Sequence, residues 1–163
     1  MKHHTIEPVF DSRSKILILG SFPSVKSREQ GFFYGHPQNR FWRVLARVTG
    51  EPCPADIAEK KQLLLAHNIA LWDVIASCEV EGSADSTIRD ITVNDIPALL
   101  AQCPICAVFT NGKKADALYR RHLAAVTGME AVCLPSTSPA NAAWSEDALY
   151  DVWNKAISNY LKG

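Results

Sequence analysis

No apolar run in this chain approaches the ~18 residues needed to cross a bilayer, and no charged, apolar and small-residue leader opens it. Neither secretion nor membrane insertion is indicated, so a cytoplasmic location is expected, nucleoid-associated if the protein acts on DNA. Excess charge of either sign is also missing, because 17 Lys and Arg balance 17 Asp and Glu. That excludes a protein holding nucleic acid by bulk charge alone, since phosphate neutralisation drives non-specific affinity. A local basic face is still open. Lys26, Arg28, Arg40, Arg43, Lys113, Lys114, Arg120 and Arg121 are its candidates, although such residues also make ordinary solvated surface. Internal repeats, low-complexity tracts and domain linkers are absent. At 163 residues and 47% hydrophobic content, one compact domain over residues 1–163 is expected, with core enough to need no staples.

Metal-ligand spacing is lacking as well. The five cysteines (Cys53, Cys78, Cys103, Cys106 and Cys133) are an odd number, which argues for free thiols. Cys103 and Cys106 form a lone C-x-x-C, with no second pair or Cys/His cluster at zinc spacing. A redox pair would fit that pattern. Cys106 precedes Ala107-Val108-Phe109, however, and reads as a small hydrophobe entering a buried strand. No metal and no cofactor are expected.

What the chain does have is alternation. Ile16–Leu19, Ile69–Val74, Ile105–Thr110 and Ala131–Leu134 read as strands. Helical patterns fall at Phe41–Thr49, Ala55–His67, Asn94–Gln102, Lys113–Val126 and Glu146–Leu161. Asn94 or Asp95 is placed to cap the third of these, with Pro97 in its first turn. Such βαβ order implies an α/β fold with a parallel sheet covered by helices on both faces.

The first strand runs into Gly20-Ser21-Phe22-Pro23 and then a loop, Phe32-Phe33-Tyr34-Gly35-His36-Pro37-Gln38-Asn39-Arg40. A loop there lies beyond the carboxyl end of a parallel strand, where open α/β sheets place ligands. Its flat rings beside His36, Asn39 and Arg40 suit a planar polar ring such as a nucleobase. The amide of Asn39 can orient a water with its oxygen or bond a base or phosphate; it can equally cap the helix starting near Phe41. Asp73 ends the second strand and faces the same crevice, as a hydrogen-bond acceptor, a cap or a partner for Arg89. Ser83, Ser86 and Arg89 are further candidates for its mouth. His36 can touch a base or brace its own loop. Asn111-Gly112-Lys113 follows the third strand, where backbone amides at a helix start can hold a phosphate.

The segment GSFPSVKSREQGFFYGHPQNRFW resembles the first motif region of the uracil-DNA glycosylase superfamily. LPSTSPANA, Leu134 to Ala142, resembles its second motif. The likeness covers about residues 12–160 and is greatest to the hypoxanthine-DNA (deoxyinosine) glycosylase branch, with similarity to mismatch-specific uracil and thymine glycosylases. The resemblance implies a three-layer α/β/α sandwich around a four-stranded parallel sheet. It implies Tyr34 as the platform for a flipped base, where the bland role would be packing against the first helix. It also implies Asn39 as the key functional residue and Asp73 at the position that reads the base edge. The loop Ser136, Thr137, Ser138, with Asn141, corresponds to the one that enters the minor groove, and Phe32 is available as a substitute wedge. Many members carry Asn or Asp where this chain has Phe22, which lines the base site without positioning water. No lysine in either motif is placed to form a Schiff base. The expected activity is therefore monofunctional removal of hypoxanthine, or of uracil or xanthine, from damaged DNA by a monomer. Two other classes compete: a nucleic-acid or nucleotide-binding domain without catalysis, favoured by Phe22, and a thiol oxidoreductase using Cys103 and Cys106.

Overall fold

The computed structural model describes residues 2–4, 6–22, 25–79 and 89–161. Its centre is β2 (Ile16–Gly20), the strand read from ILIL, in which every residue is buried. Parallel pairing places β2 between β3 (Ile69–Asp73) and β6 (Ala107–Asn111), and β7 (Ala131–Leu134) joins β6 on the far side. The sheet order β3-β2-β6-β7 puts successive connections on opposite sides of the β2–β6 pair. That pair is the switch point, and its carboxyl ends open the crevice.

Alternation along β2 divides the core. Ile16 and Ile18 pack with Phe41, Val44, Leu45, Leu64, Leu149 and Trp153 on one face. Leu17 and Leu19 pack with Ile96, Leu99, Leu118 and Tyr119 on the other. The first face is covered by α2 (Phe41–Thr49), α3 (Ile57–Ala66) and α7 (Glu146–Leu161), the second by α4 (Ile96–Leu100) and α5 (Lys113–His122). This is the three-layer α/β/α sandwich expected from the alternation and the resemblance. Local signals end the helices where the chemistry says they should. Asp56 accepts from the Glu59 amide at 2.8 Å while Glu59 Oε1 accepts from the Ala55 amide at 3.2 Å, a reciprocal cap on α3. Asp95, not Asn94, caps α4. Gly50 closes α2 in the left-handed region at φ 75°.

The structure departs from the sequence reading in four places. A second sheet, antiparallel β1-β4-β5, is formed by Lys2–His4, Ile75–Glu79 and Arg89–Val93. Its segments lack an apolar run, so periodicity did not mark them. A short helix, α1 (Val25–Gln30), lies within the first motif. The helix expected over 113–126 divides into α5 and α6 (Ala124–Thr127) at Leu123, whose φ of −127° leaves the helical region. Cys106 is exposed rather than buried: it precedes β6, and its amide donates to the Lys15 carbonyl at 2.8 Å. Cys103 is buried and also free. Among the described residues no cluster of His, Cys, Asp and Glu could hold a metal, and no helix is long and apolar enough to cross a membrane. The Gly82–Ser86 loop, with Ser83 and Ser86, lies outside the described residues, as do the side chains of Lys26 and Arg89.

Candidate active site

Three strand ends and two loops meet at the crevice. Gly20 ends β2, Asp73 ends β3 beside it in register, and Asn111 ends β6. The loops are 31–40 and 135–144, and aromatic packing fixes both. Tyr34 stacks on Phe41 at a centroid distance of 4.2 Å, Phe41 meets Trp153 edge-on at 5.8 Å, and the Trp153 indole donates to the Pro135 carbonyl at 3.0 Å. Phe32 and Phe33 are buried in the core, and the Trp42 indole donates to the Phe33 carbonyl. Neither phenylalanine lines the crevice, so Phe32 cannot serve as the DNA wedge.

Thr137, fully buried, is the hub of the polar network. Its amide donates to Asn111 Oδ1 at 3.1 Å, and Asn111 Nδ2 donates back to Thr137 Oγ1 at 3.0 Å. The Thr137 hydroxyl then donates to Asn39 Oδ1 at 2.9 Å, which also accepts from the Phe41 amide at 2.9 Å. A backbone N–H can only donate, so the atom of Asn39 facing Phe41 must be its oxygen. Two donors fill that oxygen, leaving Asn39 Nδ2 as the group with no bond to any described residue. Asn39 thus braces the start of α2, yet its amide nitrogen stays available. The idea that its oxygen orients a water does not fit this geometry.

Arg40 is not a free cation for DNA. Its backbone amide donates to the Thr137 carbonyl at 3.1 Å, and its guanidinium donates to the carbonyls of Ser138 (2.9 Å), Asn141 (3.2 Å), Thr137 (3.4 Å) and Trp144. Five donors in a rigid fork suit such a role. Arg40 therefore ties the second motif loop to the start of α2. Nothing in the sequence alone separated this arginine from its basic neighbours. Inside that loop, Ser136 Oγ accepts from the Ser138 amide, Ser138 Oγ from the Ala140 amide, and Asn141 Nδ2 donates to the Ser136 carbonyl. Gly112 runs against it at φ 96°, where a Cβ would come within 3.0 Å of Ser136 Cβ. Lys113 is exposed at the start of α5. Arg43 and Arg120 are engaged with Glu146 and Asp116, each at 2.7 Å. His36 Nδ1 accepts from the Gln38 amide at 3.1 Å, which places the proton of the neutral ring on Nε2. Phe22 is half-buried against the second core face, with the Arg28 guanidinium 5.2 Å above its ring.

Two polar groups beside Gly20 lack a hydrogen bond of ordinary geometry, although the Asn111 side chain lies near the Tyr34 hydroxyl. The Tyr34 hydroxyl and Asp73 Oδ2 are buried without a hydrogen bond, and Asp73 is only 3% exposed. Both side chains pack against Gly20. A Cβ built there would lie 2.5 Å from Asp73 Oδ1 and 2.8 Å from the Tyr34 hydroxyl. The two side chains thus close directly over the Gly20 Cα, an approach that only a residue without a Cβ permits. Tyr34 holds its place at a φ of 53°, the left-handed region that is strained for an aromatic residue. The residue as a whole is half-buried, and its hydroxyl is buried.

Burial pushes the Asp73 carboxyl up to about 7. It also pushes the Tyr34 phenol far above its usual range, with the Asp73 charge adding to the rise and the nearby Asn111 amide opposing it. Tyr34 is neutral at every working pH. Because folding raises the Asp73 pKa, this group favours the fold fully at low pH and loses that contribution as pH rises through about 7. The loss at the alkaline end is on the order of 4 kcal/mol. Asp73→Asn, which cannot ionise, is expected to be more stable than the parent near pH 8. That advantage should shrink towards pH 5, followed by urea unfolding at each pH. Parallel stability curves would remove the buried-charge account.

The chain is similar to known proteins along nearly its whole length. The family model for the uracil DNA glycosylase superfamily matches residues 7–158. A protein named hypoxanthine DNA glycosylase from Methanosarcina acetivorans is 40% identical over 141 residues, 85% of this chain and 88% of that one. One of the same name from Methanosarcina barkeri is 37% identical over 143 residues, 86% and 89% of the two chains. A solution NMR structure of a proposed uracil DNA glycosylase from Methanosarcina acetivorans superposes with a TM-score of 0.84 at 34% identity. It covers 98% of this chain and 99% of that one.

Proposed function

The chain belongs to the uracil DNA glycosylase superfamily, and from that premise we propose that it is a monofunctional, monomeric DNA glycosylase. It hydrolyses the N-glycosidic bond of a deaminated base and leaves an abasic site. Hypoxanthine is the foremost substrate, the base in the names of the two Methanosarcina relatives; uracil and xanthine follow. One observation carries the reading: at the switch-point crevice, Tyr34 and Asp73 keep buried polar groups without a hydrogen bond, and Asn39 Nδ2 bonds no described residue. A folded chain retains such groups at a cost of about 1–3 kcal/mol each, which a bound base would relieve.

The reaction needs the base flipped from the stack, held, and stabilised as it leaves. Tyr34 offers its ring as the stacking platform, a contact worth about 1–3 kcal/mol per base. Asn39 Nδ2 donates to the departing base, whose negative charge grows in the transition state. His36 Nε2–H is a second donor in the same loop, and Phe22 supplies apolar lining. Ser136, Thr137, Ser138 and Asn141 form the rigid edge that meets the DNA strand, with Lys113 beside it for phosphate. Water then attacks an oxocarbenium-like sugar late in the reaction, so no strong base is required.

The test is base release from duplexes carrying one hypoxanthine, uracil or xanthine, each followed by alkali. Strand breakage only after alkali, strongest for hypoxanthine, is the expected result. Breakage without alkali would overturn the monofunctional assignment. DNA binding without any release would instead establish the binding domain, a reading favoured by Phe22 and by the filled oxygen of Asn39.

A further inference from the structure

A chain with no net charge must hold DNA through a few well-placed cations, yet most arginines near the crevice are engaged. Arg40 donates to carbonyls of the 135–144 loop, and Arg43 and Arg47 face Glu146 and Asp147. Arg28, on α1, is different. Its Nε is buried without a hydrogen bond, and the described arginine–carboxylate pairs all involve other arginines. Its guanidinium lies 5.2 Å from the centroid of the Phe22 ring, and Phe22 follows closely on Gly20, the last residue of β2. A ring beneath a guanidinium fixes the fork without using any of its N–H groups. The helix that carries it is fastened to the base-site loop. Ser27, 1% exposed, accepts from the Gly35 amide at 2.8 Å through its hydroxyl, and its carbonyl accepts from the Gly31 and Phe32 amides. Tyr34 lies between those bonds, so Arg28 keeps a fixed place relative to Phe22 and to the Tyr34 loop.

We propose that Arg28, held against Phe22, anchors a phosphodiester of the damaged strand beside the flipped nucleotide. The inference rests on the glycosylase reading and deepens it by assigning a strand contact to one side chain. A guanidinium fork matches two phosphate oxygens at once, and phosphate contacts set the register of a protein on DNA without reading its sequence. Two arguments put the strand, not the base, against Arg28. The Asp73 carboxyl is raised by burial alone, whereas a guanidinium facing it would hold it down. Arg28 therefore does not face the Asp73 carboxyl. The second argument is chemical. A bare cation beside an oxocarbenium-like sugar would oppose the reaction, while one neutralised by a phosphodiester does not.

The same contact gives Phe22 a task that suits its chemistry. Its ring neither donates nor accepts, but it holds a cation in place beside the strand end. Arg28 is thus a binding residue. It contributes to affinity and register, and it leaves the rate of bond breaking in the bound complex almost unchanged. Because so few cations are available, the loss of this one should be visible in the salt dependence of binding.

The probes are duplexes carrying one 2′-fluoro hypoxanthine nucleotide, whose fluorine suppresses cleavage so that binding alone is read. Arg28→Gln is expected to weaken binding about tenfold at ~100 mM salt and to reduce the slope of log K against log salt by about 0.9. Arg28→Lys keeps the charge and loses the fork, so it should keep the slope and recover part of the affinity. Neutral methylphosphonate is then placed, one position at a time, at the phosphates flanking the lesion. One position should cost the native chain about tenfold and Arg28→Gln less than about twofold. Single-turnover release by Arg28→Gln at saturation should stay within about threefold of the native rate. An unchanged salt slope in Arg28→Gln, or equal methylphosphonate losses in both chains, would overturn the anchor and leave Arg28 as a brace for Phe22. The methylphosphonate series on the native chain tests the anchor even if the glutamine variant does not fold, because no flanking position with a loss above about twofold also sinks it. Base release from unmodified duplexes, measured alongside, separates the two claims. Release with an unchanged slope sinks the anchor alone, a reduced slope without release from any lesion sinks the glycosylase reading alone, and binding to no duplex sinks both.

Discussion

Replacing Gly20 with alanine is expected to abolish base release while leaving a folded protein. Gly20 lies in β2 without the positive φ that favours glycine, so alanine meets no backbone penalty and even gains strand propensity, about 0.5–1 kcal/mol. The added Cβ has nowhere to go. It would sit 2.5 Å from Asp73 Oδ1 and 2.8 Å from the Tyr34 hydroxyl, so both side chains would be forced off their positions. Asp73 is walled in at the end of β3, and Tyr34 is held by its stack on Phe41. Overpacking of this kind costs about 1–3 kcal/mol, partly offset by the strand term. Turnover should fall at least ~10³-fold, since Asp73 and Tyr34 are pushed from the positions in which they would hold the base by more than catalytic geometry tolerates. Single-turnover release from hypoxanthine duplex, with urea unfolding as the control, checks both halves. Activity within tenfold of the parent would mean that neither Asp73 nor Tyr34 positions the base.

Asn39→Ala should be nearly as severe. Removing one preorganised donor to a developing anion costs about 10²–10³ in rate, and this substitution also removes the bond that braces the Phe41 amide. Those two losses can be separated through Thr137. Thr137→Val keeps the shape but removes the hydroxyl that donates to Asn39 Oδ1 and accepts from Asn111 Nδ2. The Asn39 amide then loses one of its two anchors, and about 10–100-fold in rate should follow if orientation is what that hydroxyl supplies. Thr137→Ser should restore most of it. The rate constant for release, rather than the affinity for DNA, is the informative quantity, because a donor to the leaving base acts in the transition state. Full activity in Asn39→Ala would confine that residue to capping. Equal losses in the serine and valine variants would point to packing at position 137 instead of hydrogen bonding.

The two arginines beside this network show why residue type alone misleads. Arg40 and Arg43 are three positions apart at the start of α2, and both read as candidates for a basic face. Arg43 reaches Glu146 on the surface, a pair of small energetic weight. Arg40 instead spends its fork on the carbonyls of the 135–144 loop. A similar lesson comes from the aromatic run. Phe32, Phe33 and Tyr34 are adjacent and similar in character, yet the first two are buried in the core and only Tyr34 carries a polar group into the crevice. Its left-handed backbone at φ 53° turns the ring out of line with its neighbours, a conformation that no propensity of tyrosine foretells.

The sequence by itself determined the central parallel sheet and its helices. ILIL, IALWD, AVFT and AVCL are apolar runs, the first three largely buried on both faces and the last half-exposed at the sheet edge, and the stripe of Phe41, Val44, Leu45 and Val48 favours a helix. It also pointed to the candidate site, because a parallel sheet puts its crevice at the strand carboxyl ends, and Gly20, Asp73 and Asn111 end three of them. The antiparallel β1-β4-β5 sheet was not legible, since its short polar strands are stabilised by pairing rather than by a hydrophobic period. Nor could the sequence say which atom of Asn39 is free, that Arg40 is a tether, or that Asp73 and Tyr34 close over the same glycine. Those are facts about distances between residues far apart in the chain. Periodicity reports how each segment buries itself, whereas only the packed fold decides which polar groups are satisfied and which are left waiting for a ligand.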